Sequence, residues 1–317
     1  MLKYIGQRLV AATITLFIIL TVAFCVVRLM PGSVYDDPDL PAEVVAILEA
    51  RAHLDKPIPV QYYYFIKGIV LENDWGTSVK VEPGVAAFDV IKNRIPISLE
   101  LNIYSLMISI PLGVLFGTIA ALYKNRWADH VASVGVIICI SVPSFVFASL
   151  MQYFLAFKLG IFPILYEPSA PTFGARMASL VMPIIALALH SIASITRHQR
   201  GELIEVMDSE FLLLARTKGL TKAQSIVRHA FRNAAVPLMN IIVPMFTHIL
   251  GGSMVIERLF SIPGVGGTMI KAINANDHSL TVAVLIFYGI VSVVTNLAVD
   301  LSYGIVDPRV RVGGKKE

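Results

Sequence analysis

The sequence predicts an all-α, polytopic membrane protein with six transmembrane helices. Of its 317 residues, 56% are hydrophobic and only 15% are charged, an apolar excess and a charge deficit relative to soluble domains. Six windows of roughly twenty apolar residues follow one another, and each can cross about 30 Å of hydrocarbon as a helix. Lys and Arg are concentrated in alternate connections between these windows, which gives the predicted protein an orientation.

The six predicted spans are residues 9–27, 99–122, 131–157, 180–196, 234–256 and 280–299. Lys3 and Arg8 precede the first span as in a signal peptide, but its apolar run is long and no small-x-small cleavage site follows, so we predict a retained helix. The fourth span is the shortest and contains Pro183, which membrane helices tolerate. Cys25 and Cys139 fall inside spans, where free Cys behaves as a small hydrophobe.

The distribution of positive charge places both termini in the cytoplasm. Fifteen Lys and Arg lie on the side of the termini and of residues 197–233, against four in the short loops of the other side, and cytoplasmic loops carry the positive excess. The chain is therefore expected to divide into residues 1–30 with the first span, an external segment (31–97), a core with spans two to six (98–310) and a cytoplasmic tail (311–317). The net charge of +4 reflects this bias, and we expect no nucleic-acid partner.

The external segment contains an aromatic group with two possible roles. Tyr62, Tyr63, Tyr64 and Trp75 could face solute, but aromatic residues near a bilayer edge more often anchor a protein at the interface. Further along, the glycines of SIPGVGG allow tight turns or close backbone packing. They do not match the GxxxxGK[ST] phosphate-binding pattern, so the chain is expected to bind no nucleotide.

Other energy sources and chemistries find little support in the sequence. Ion-coupled carriers usually place carboxylates within the membrane, whereas here Glu100 lies at the external edge of the second span and Asp300 at the internal end of the sixth. His190 and His248 lie within spans, where a hydrogen bond to a neighbouring helix is commoner than a proton relay. No His, Cys, Asp or Glu cluster has metal-ligand spacing. Transport by this chain would therefore need energy supplied by another protein.

Residues 197–233 form a basic, helix-patterned segment between the fourth and fifth spans. Asp208 or Ser209 can cap a short helix with an apolar run at 211–215, which Gly219 ends. Thr221 to Gln224 match a capping box. The helix that follows is expected to place its apolar side chains on one face, namely Ala223, Ile226, Val227, Ala230 and Phe231. The segment could lie on the membrane surface, or its apolar run could enter a groove on a partner.

These residues resemble the permease subunits of binding-protein-dependent ABC importers, in the peptide and nickel branch. The segment ARTKGLTKAQSIVRHAFRNAAVP (215–237) carries the main resemblance. Further similar segments are LMPGS (29–33), LDKPIPVQY (54–62), ISVPSFVFA (140–148), KLGIFP (158–163), FSIPGVGG (260–267) and VDLSYGIVDPRVR (299–311). Essentially the whole chain is covered, and it looks most like the first of the two permeases of oligopeptide importers.

The resemblance implies a non-catalytic, multi-pass protein of the bacterial cell membrane. Its partners would be a second homologous permease subunit, two cytoplasmic ATPase subunits that bind ATP and Mg, an external solute-binding protein and membrane lipid. This chain would bind no cofactor. Oligopeptides are the first expectation for the substrate, with dipeptides, nickel or heme as alternatives within the branch. From other classes, a membrane scaffold without transport and an ion-driven carrier using His190 or His248 remain open.

The resemblance also implies a coupling helix at about residues 209–220 that sits in a cleft of an ATPase. Its expected contact residues are Glu210, Phe211, Leu212, Ala215, Arg216, Lys218, Gly219 and Leu220. In the family pattern of Glu-Ala-Ala, three residues and Gly, the glycine corresponds to Gly219 and the last alanine to Ala215. Leu213 and Leu214 stand in place of the glutamate and the first alanine.

The polar residues Ser141, Ser144 and Asn240 are candidates for lining a peptide path. Their neutral donors and acceptors suit a peptide backbone. In membrane helices, however, Ser and Asn more often bond to a neighbouring helix.

Overall fold

The computed structural model describes residues 2–29, 41–247 and 254–306. Within these ranges the regular structure is helical, and the extended pairing is confined to one isolated bridge between Thr77 and Ala86. The prediction of an all-α protein is confirmed.

The α-helices follow one another along the described chain with short connections. In order they are α1 (Leu2–Leu29), α2 (Ala42–Arg51), α3 (Ile58–Lys67), α4 (Ala87–Leu122), α5 (Trp127–Ser141), α6 (Ser144–Met151), α7 (Phe173–Met207), α8 (Glu210–Thr217), α9 (Lys222–Ser225), α10 (Phe231–Thr247), α11 (Met254–Leu259), α12 (Val265–Asn274) and α13 (His278–Val306). Wider π-helical turns follow α3, α6 and α9, at Gly68–Glu72, Gln152–Lys158 and Ile226–Ala230.

Four helices of the described chain are long and apolar enough to cross a membrane. They are Gly6–Leu29, Ala87–Leu122, Phe173–Met207 and His278–Val299, and they contain the first, second, fourth and sixth predicted spans. The fourth had the shortest apolar window, yet it lies in a helix of 35 residues that includes Pro183. Apolar windows underestimated this helix because its polar last turns continue beyond the hydrophobic stretch.

The third predicted span is two helices instead of one. Trp127–Ser141 and Ser144–Lys158 are apolar enough to count together, but they are bent by 100° at the short break between them. Val142 ends α5 in an extended conformation, with φ −94° and ψ 125°. Pro143 follows it, and a proline disfavours helical geometry in the residue before it. A hydropathy window does not detect such a break.

The fifth predicted span is described only in part. It corresponds to α10, which contains Pro237 and Pro244 and ends at Thr247. Residues 248–253, including the candidate His248, lie outside the described residues. The described chain therefore offers four candidate spans, or five if the bent pair counts as one.

Contacts divide the chain into two compact units, Met1–Pro96 with Pro263–Glu317, and Ile97–Ile262. In the first unit, α1 packs along α13. A Cβ atom on Gly289 would lie 2.8 Å from Cγ2 of Ile19, so glycine is needed for this close approach. Tyr62 shares a 2.7 Å hydrogen bond with Thr21, which fixes α3 to α1. Tyr62 is thus half-buried against α1, whereas Tyr63 is exposed.

A buried carboxylate organises the loop before α4 in the same unit. Oδ2 of Asp277 accepts hydrogen bonds from the Ser78 hydroxyl at 2.6 Å and from the amides of residues 79, 80 and 81 at 3.0–3.1 Å. Its Oδ1 accepts one from the Leu280 amide at 3.2 Å. A buried charge requires such partners, and these bonds fasten the loop to the turn between α12 and α13.

In the second unit, α7 packs against α5, α6 and α10 and lies very close to α4. A Cβ atom on Gly113 would lie 2.6 Å from Cβ of Ile195, and one on Gly117 would lie 2.7 Å from both Cβ of Gln199 and the carbonyl oxygen of Thr196. The sequence GVLFG (113–117) therefore acts as a Gly-x-x-x-Gly contact, which lets two helix backbones approach each other. The sequence interpretation missed this motif, although its spacing was visible.

Candidate functional site

The short helix α8 lies where the coupling helix was expected. Ser209 is its N-cap residue in extended conformation, although the Ser209 hydroxyl donates back to the Val206 carbonyl oxygen instead of capping the helix. Glu210 in the first turn and Arg216 in the last turn have the charges that the helix dipole favours at each end. Gly219 follows with φ +93°, a left-handed conformation that suits glycine. The expected helix over about 209–220 is thus four residues longer than the observed one, by one residue at its start and three at its end.

One leucine holds α8 in place from beneath. Leu212 is fully buried, in a cluster with Ala121 of α4, Leu203 of α7, and Ile226, Ala230 and Ala234 of the segment that follows. An isolated helix of eight residues is unstable in water, so this packing is the main reason that α8 forms. Leu212 therefore supports the helix from within, which differs from the surface position expected for it.

The outer face of α8 is apolar and exposed. Phe211, Leu213 and Leu214 are exposed by 45%, 62% and 56%. Of the other expected contact residues, Glu210, Arg216, Lys218 and Gly219 are exposed, and Ala215 and Leu220 are half-buried. The two leucines that depart from the family pattern thus join the accessible face. Five successive apolar residues on one short helix indicated this, because such a helix cannot bury all of them.

The segment after α8 begins with the predicted capping box. The Thr221 amide donates to Oε1 of Gln224 at 3.0 Å, and the Gln224 amide donates to the Thr221 hydroxyl at 3.3 Å. The expected single apolar face beyond it is wrong. Ile226 and Ala230 are buried, but Val227 is 72% exposed, and Ala223 and Phe231 are also exposed. The π-helical turn Ile226–Ala230 changes the angular spacing of side chains from that of an α-helix.

Two ion pairs connect the last part of α7 to the first turn of α5 and to the turn before it. Arg200 donates from Nε to Oδ1 of Asp129 at 2.5 Å and from a terminal nitrogen to Oδ2 at 2.8 Å. The Asn125 amide also donates to Oδ2, at 2.8 Å. Lys124 and Asp208 form the second pair at 3.1 Å, with side chains 44% and 70% exposed. Exposed pairs contribute little to stability, whereas the Asp129 carboxylate is almost fully buried.

The candidate path residues lie at different places in the second unit. Ser141 is exposed at the end of α5, and Ser144 is half-buried at the start of α6, so the two flank the bend at Pro143. Asn240 lies in α10, but its side chain is outside the described part of the structure. The bend gives Ser141 and Ser144 a shared location that the sequence interpretation did not foresee.

The ionisable residues that could serve ion coupling are ion-paired or exposed where the structure describes their side chains. Glu100 forms a bidentate ion pair with Arg176, and Arg176 also donates to the Tyr166 hydroxyl at 3.0 Å. His190 is exposed on α7. The side chain of Asp300 lies outside the described residues. Among the side chains that are described, no group of three or more His, Cys, Asp or Glu residues could hold a metal ion.

Comparison with known families accounts for this arrangement. Residues 113–312 match the family described as the binding-protein-dependent transport system inner membrane component, and residues 1–102 match its N-terminal region. The chain belongs to this family. It is accordingly a multi-pass protein of the bacterial cell membrane, and the family match covers α8 and the buried residues that support it.

Full-length relatives carry the names of peptide permeases. The dipeptide transport system permease protein DppB of Lactococcus lactis subsp. cremoris is 36% identical over 98% of this chain and 100% of its own length. The oligopeptide transport system permease proteins OppB of Haemophilus influenzae and of Escherichia coli K12 are 34% and 35% identical, each over 98% of this chain and the whole of its own length. Dipeptide and oligopeptide permeases are thus similarly related to this chain.

Proposed function

We propose that this chain is a permease subunit of an ATP-driven peptide importer and takes its substrate from an external solute-binding protein. The observation that carries the proposal is the outer face of α8, where Phe211, Leu213 and Leu214 are exposed while Leu212 anchors the helix. An exposed apolar face on a short, firmly supported helix suits insertion into a groove of another protein. The family match supports the assignment of that groove to an ATPase.

The proposed subunit crosses the membrane six times with both termini in the cytoplasm. The four long helices and the bent pair supply five crossings, and the apolar run that begins in α10 supplies the sixth. The excess of Lys and Arg on one side supports this orientation, which places α8 in the cytoplasm.

The proposed partners are a second homologous permease, two ATPase subunits that bind ATP and Mg, and the external binding protein. This chain performs no chemistry and binds no cofactor. ATP-driven closure of the ATPases would displace α8, and each permease would move with its coupling helix and open the path to the other side. Ser141 and Ser144, beside the bend, are proposed to line that path together with Asn240.

Peptides are the proposed substrate because the relatives at 33–36% identity are named oligopeptide and dipeptide permeases. We place oligopeptides first, because the sequence most resembles the first permease of oligopeptide importers. Dipeptides come next, and nickel and heme are the remaining alternatives in the branch. The external binding protein would decide among them.

Charge introduced on the outer face of α8 tests the docking proposal. The double variant Leu213→Asp and Leu214→Asp should lose co-purification with the ATPases and reduce peptide uptake at least about tenfold, because about 1.4 kcal/mol of binding free energy corresponds to a factor of ten. Leu220→Ala is not a suitable control, since that residue is half-buried and among the expected contacts.

The matched control places a negative charge on an exposed surface outside α8. The control is Val227→Asp, at a residue that is 72% exposed and lies just beyond the helix. It should insert normally and keep most of the uptake. If the α8 double variant takes up peptide and captures the ATPases as well as the wild type does, docking through this face is rejected.

A further inference from the structure

The ion pair between Arg200 and Asp129 joins α7 to α5. Because α7 leads directly into α8, this pair can connect α8 to α5. Arg200 makes two hydrogen bonds to the carboxylate, at 2.5 and 2.8 Å, and the carboxylate side chain is only 3% exposed. The Asn125 amide and the Ser133 hydroxyl complete its shell at 2.8 and 3.4 Å. Bidentate, charge-assisted bonds of this kind fix geometry more strictly than a single bond, so α5 is held to α7 at a defined angle.

On the other side, Arg200 is firmly connected to α8. Arg200 lies ten residues before Glu210, the first residue of α8, and Leu203, one turn after Arg200, packs in the same cluster as Leu212. The interior of such a cluster is densely packed and resists deformation. A displacement of α8 therefore moves the end of α7 with it.

The helix α4 is held firmly against α7 and so moves with α7 and α8. Its Gly113 and Gly117 place its backbone against Ile195 and Gln199 of α7, and the Thr196 hydroxyl donates to the Gly113 carbonyl oxygen at 3.3 Å. α5 also packs along α7, and the pair with Asp129 adds a directional contact at the first turn of α5.

The far end of α5 is built differently. It ends at Val142 in extended conformation, and a 100° bend separates it from α6. Helix breaks are where a chain can absorb a change in backbone angles, and discontinuous helices surround the binding sites of many transporters. α5 is thus joined at its first turn to the helices α4, α7 and α8. At its last turn the chain bends, beside Ser141 and Ser144.

We propose that Arg200 and Asp129 are positioning residues that transmit the displacement of α8 into α5 and so to the bend at Pro143. This rests on the proposed function, because it assumes that an ATPase displaces α8. The pair stays closed throughout the transport cycle, and α4, α5, α7 and α8 move as one body that carries the bend at Pro143 with it. The exposed pair of Lys124 and Asp208 plays no part in this transmission, since solvent screens it.

The test uses the complete transporter in proteoliposomes, with the second permease, the ATPases and the binding protein. Asp129→Asn and Arg200→Gln should still co-purify with the ATPases and hydrolyse ATP, while peptide taken up per ATP falls at least about tenfold, as expected for the loss of 1.4 kcal/mol of coupling. Exchange of the two charges, Asp129→Arg with Arg200→Asp, should restore part of that ratio. The control Lys124→Gln with Asp208→Asn should keep the wild-type ratio.

A covalent link gives a second measurement that does not depend on the stability of the charge variants. Asp129→Cys with Arg200→Cys, in a background where Cys25 and Cys139 are replaced by Ala, should be uncoupled until a short bifunctional thiol reagent joins the two cysteines. The cross-link should then raise peptide uptake per ATP, because it replaces the closed ion pair. If the cross-link instead blocks an active transporter, the pair must open during the cycle and the proposal is wrong.

The failure of this inference differs visibly from failure of the proposed function. If the wild-type assembly takes up peptide with ATP and the single charge variants keep the wild-type ratio, only the transmission role is rejected. A proportional loss of uptake, ATP hydrolysis and assembly yield, without recovery in the charge exchange, would also reject it in favour of a purely structural pair. An assembly whose wild type shows no ATP-driven uptake contradicts the proposed function itself.

Discussion

Adjacent leucines of α8 have opposite surroundings, and this decides what each can do. Leu212 is fully buried among residues of α4, α7 and the following segment, whereas Leu213 is 62% exposed. The sequence predicted the apolar run but not which of its residues would be buried, because five consecutive apolar residues have no helical periodicity. Only the direction from which α4 and α7 approach selects Leu212 for the interior.

Truncation of Leu212 should therefore destabilise the protein far more than truncation of its neighbour. We expect Leu212→Ala to cost about 2–5 kcal/mol, through lost burial and the cavity left behind, and to release α8 from its support. Thermal unfolding of the detergent-purified protein and protease cleavage of residues 209–220 in inverted vesicles would measure this. Leu213→Ala is the matched control and should change stability by less than about 0.5 kcal/mol. Equal losses in both variants would contradict the burial of Leu212 beneath α8.

The pairing of Arg200 with Asp129 could not be predicted from the sequence. Both residues are visible as charges at the ends of apolar runs, but 71 positions separate them, and one sequence carries no information on which distant charges meet. The capping box at Thr221 and the turn at Gly219 were predictable because their causes are local. In this chain, contacts between residues close in sequence could be predicted from the sequence. Contacts between distant residues could be identified only from the folded structure.

Among the elements, α4 and α7 approach each other closely in the second unit, and this approach requires glycine at Gly113 and Gly117. The backbone carbonyl of Thr196 would lie 2.7 Å from a Cβ atom on Gly117. Since backbone atoms cannot rotate away as a flexible side chain can, any larger residue must separate the two helices. The Gly-x-x-x-Gly spacing at Gly113 and Gly117 was available in the sequence, although its partner helix was not.

The smallest possible side chain at this contact should already be harmful. We expect Gly117→Ala to destabilise the protein by about 1–3 kcal/mol, the usual cost of overpacking a close contact, seen as a lower midpoint of thermal unfolding. Gly135 in α5 is the matched control, because no atom lies within 4 Å of a Cβ added there. Gly135→Ala should be neutral or stabilising, since Ala favours helix over Gly. A stable Gly117→Ala variant would disprove the need for backbone contact.

The break between α5 and α6 shows where hydropathy fails at the scale of an element. Residues 131–157 are apolar throughout, so a sliding window predicts one span. The conformational restriction that Pro143 imposes on Val142 overrides that average and turns the chain by 100°. The fourth span shows the opposite case, because neighbours bury Pro183 within a continuous α7.

At the scale of the whole molecule, the all-helical fold and the proposed dependence on ATPases rest on different observations. The all-helical fold follows from composition and apolar windows, and the structure confirms it over the described residues. The proposed dependence on ATPases follows from the exposed face of α8 together with the family match. Residue spacing alone left a membrane-surface connector, a scaffold and an ion-driven carrier open, because an exposed apolar run does not name its partner.

The most direct test of the proposed function is peptide uptake by the purified chain reconstituted with its second permease, ATPases and external binding protein. The probes are labelled peptides of different lengths that the binding protein retains. Uptake should require ATP on the side of α8 and should persist when ionophores collapse the proton and sodium gradients. Accumulation driven by a proton gradient in vesicles without the ATPases would contradict the proposed function and favour an ion-driven carrier.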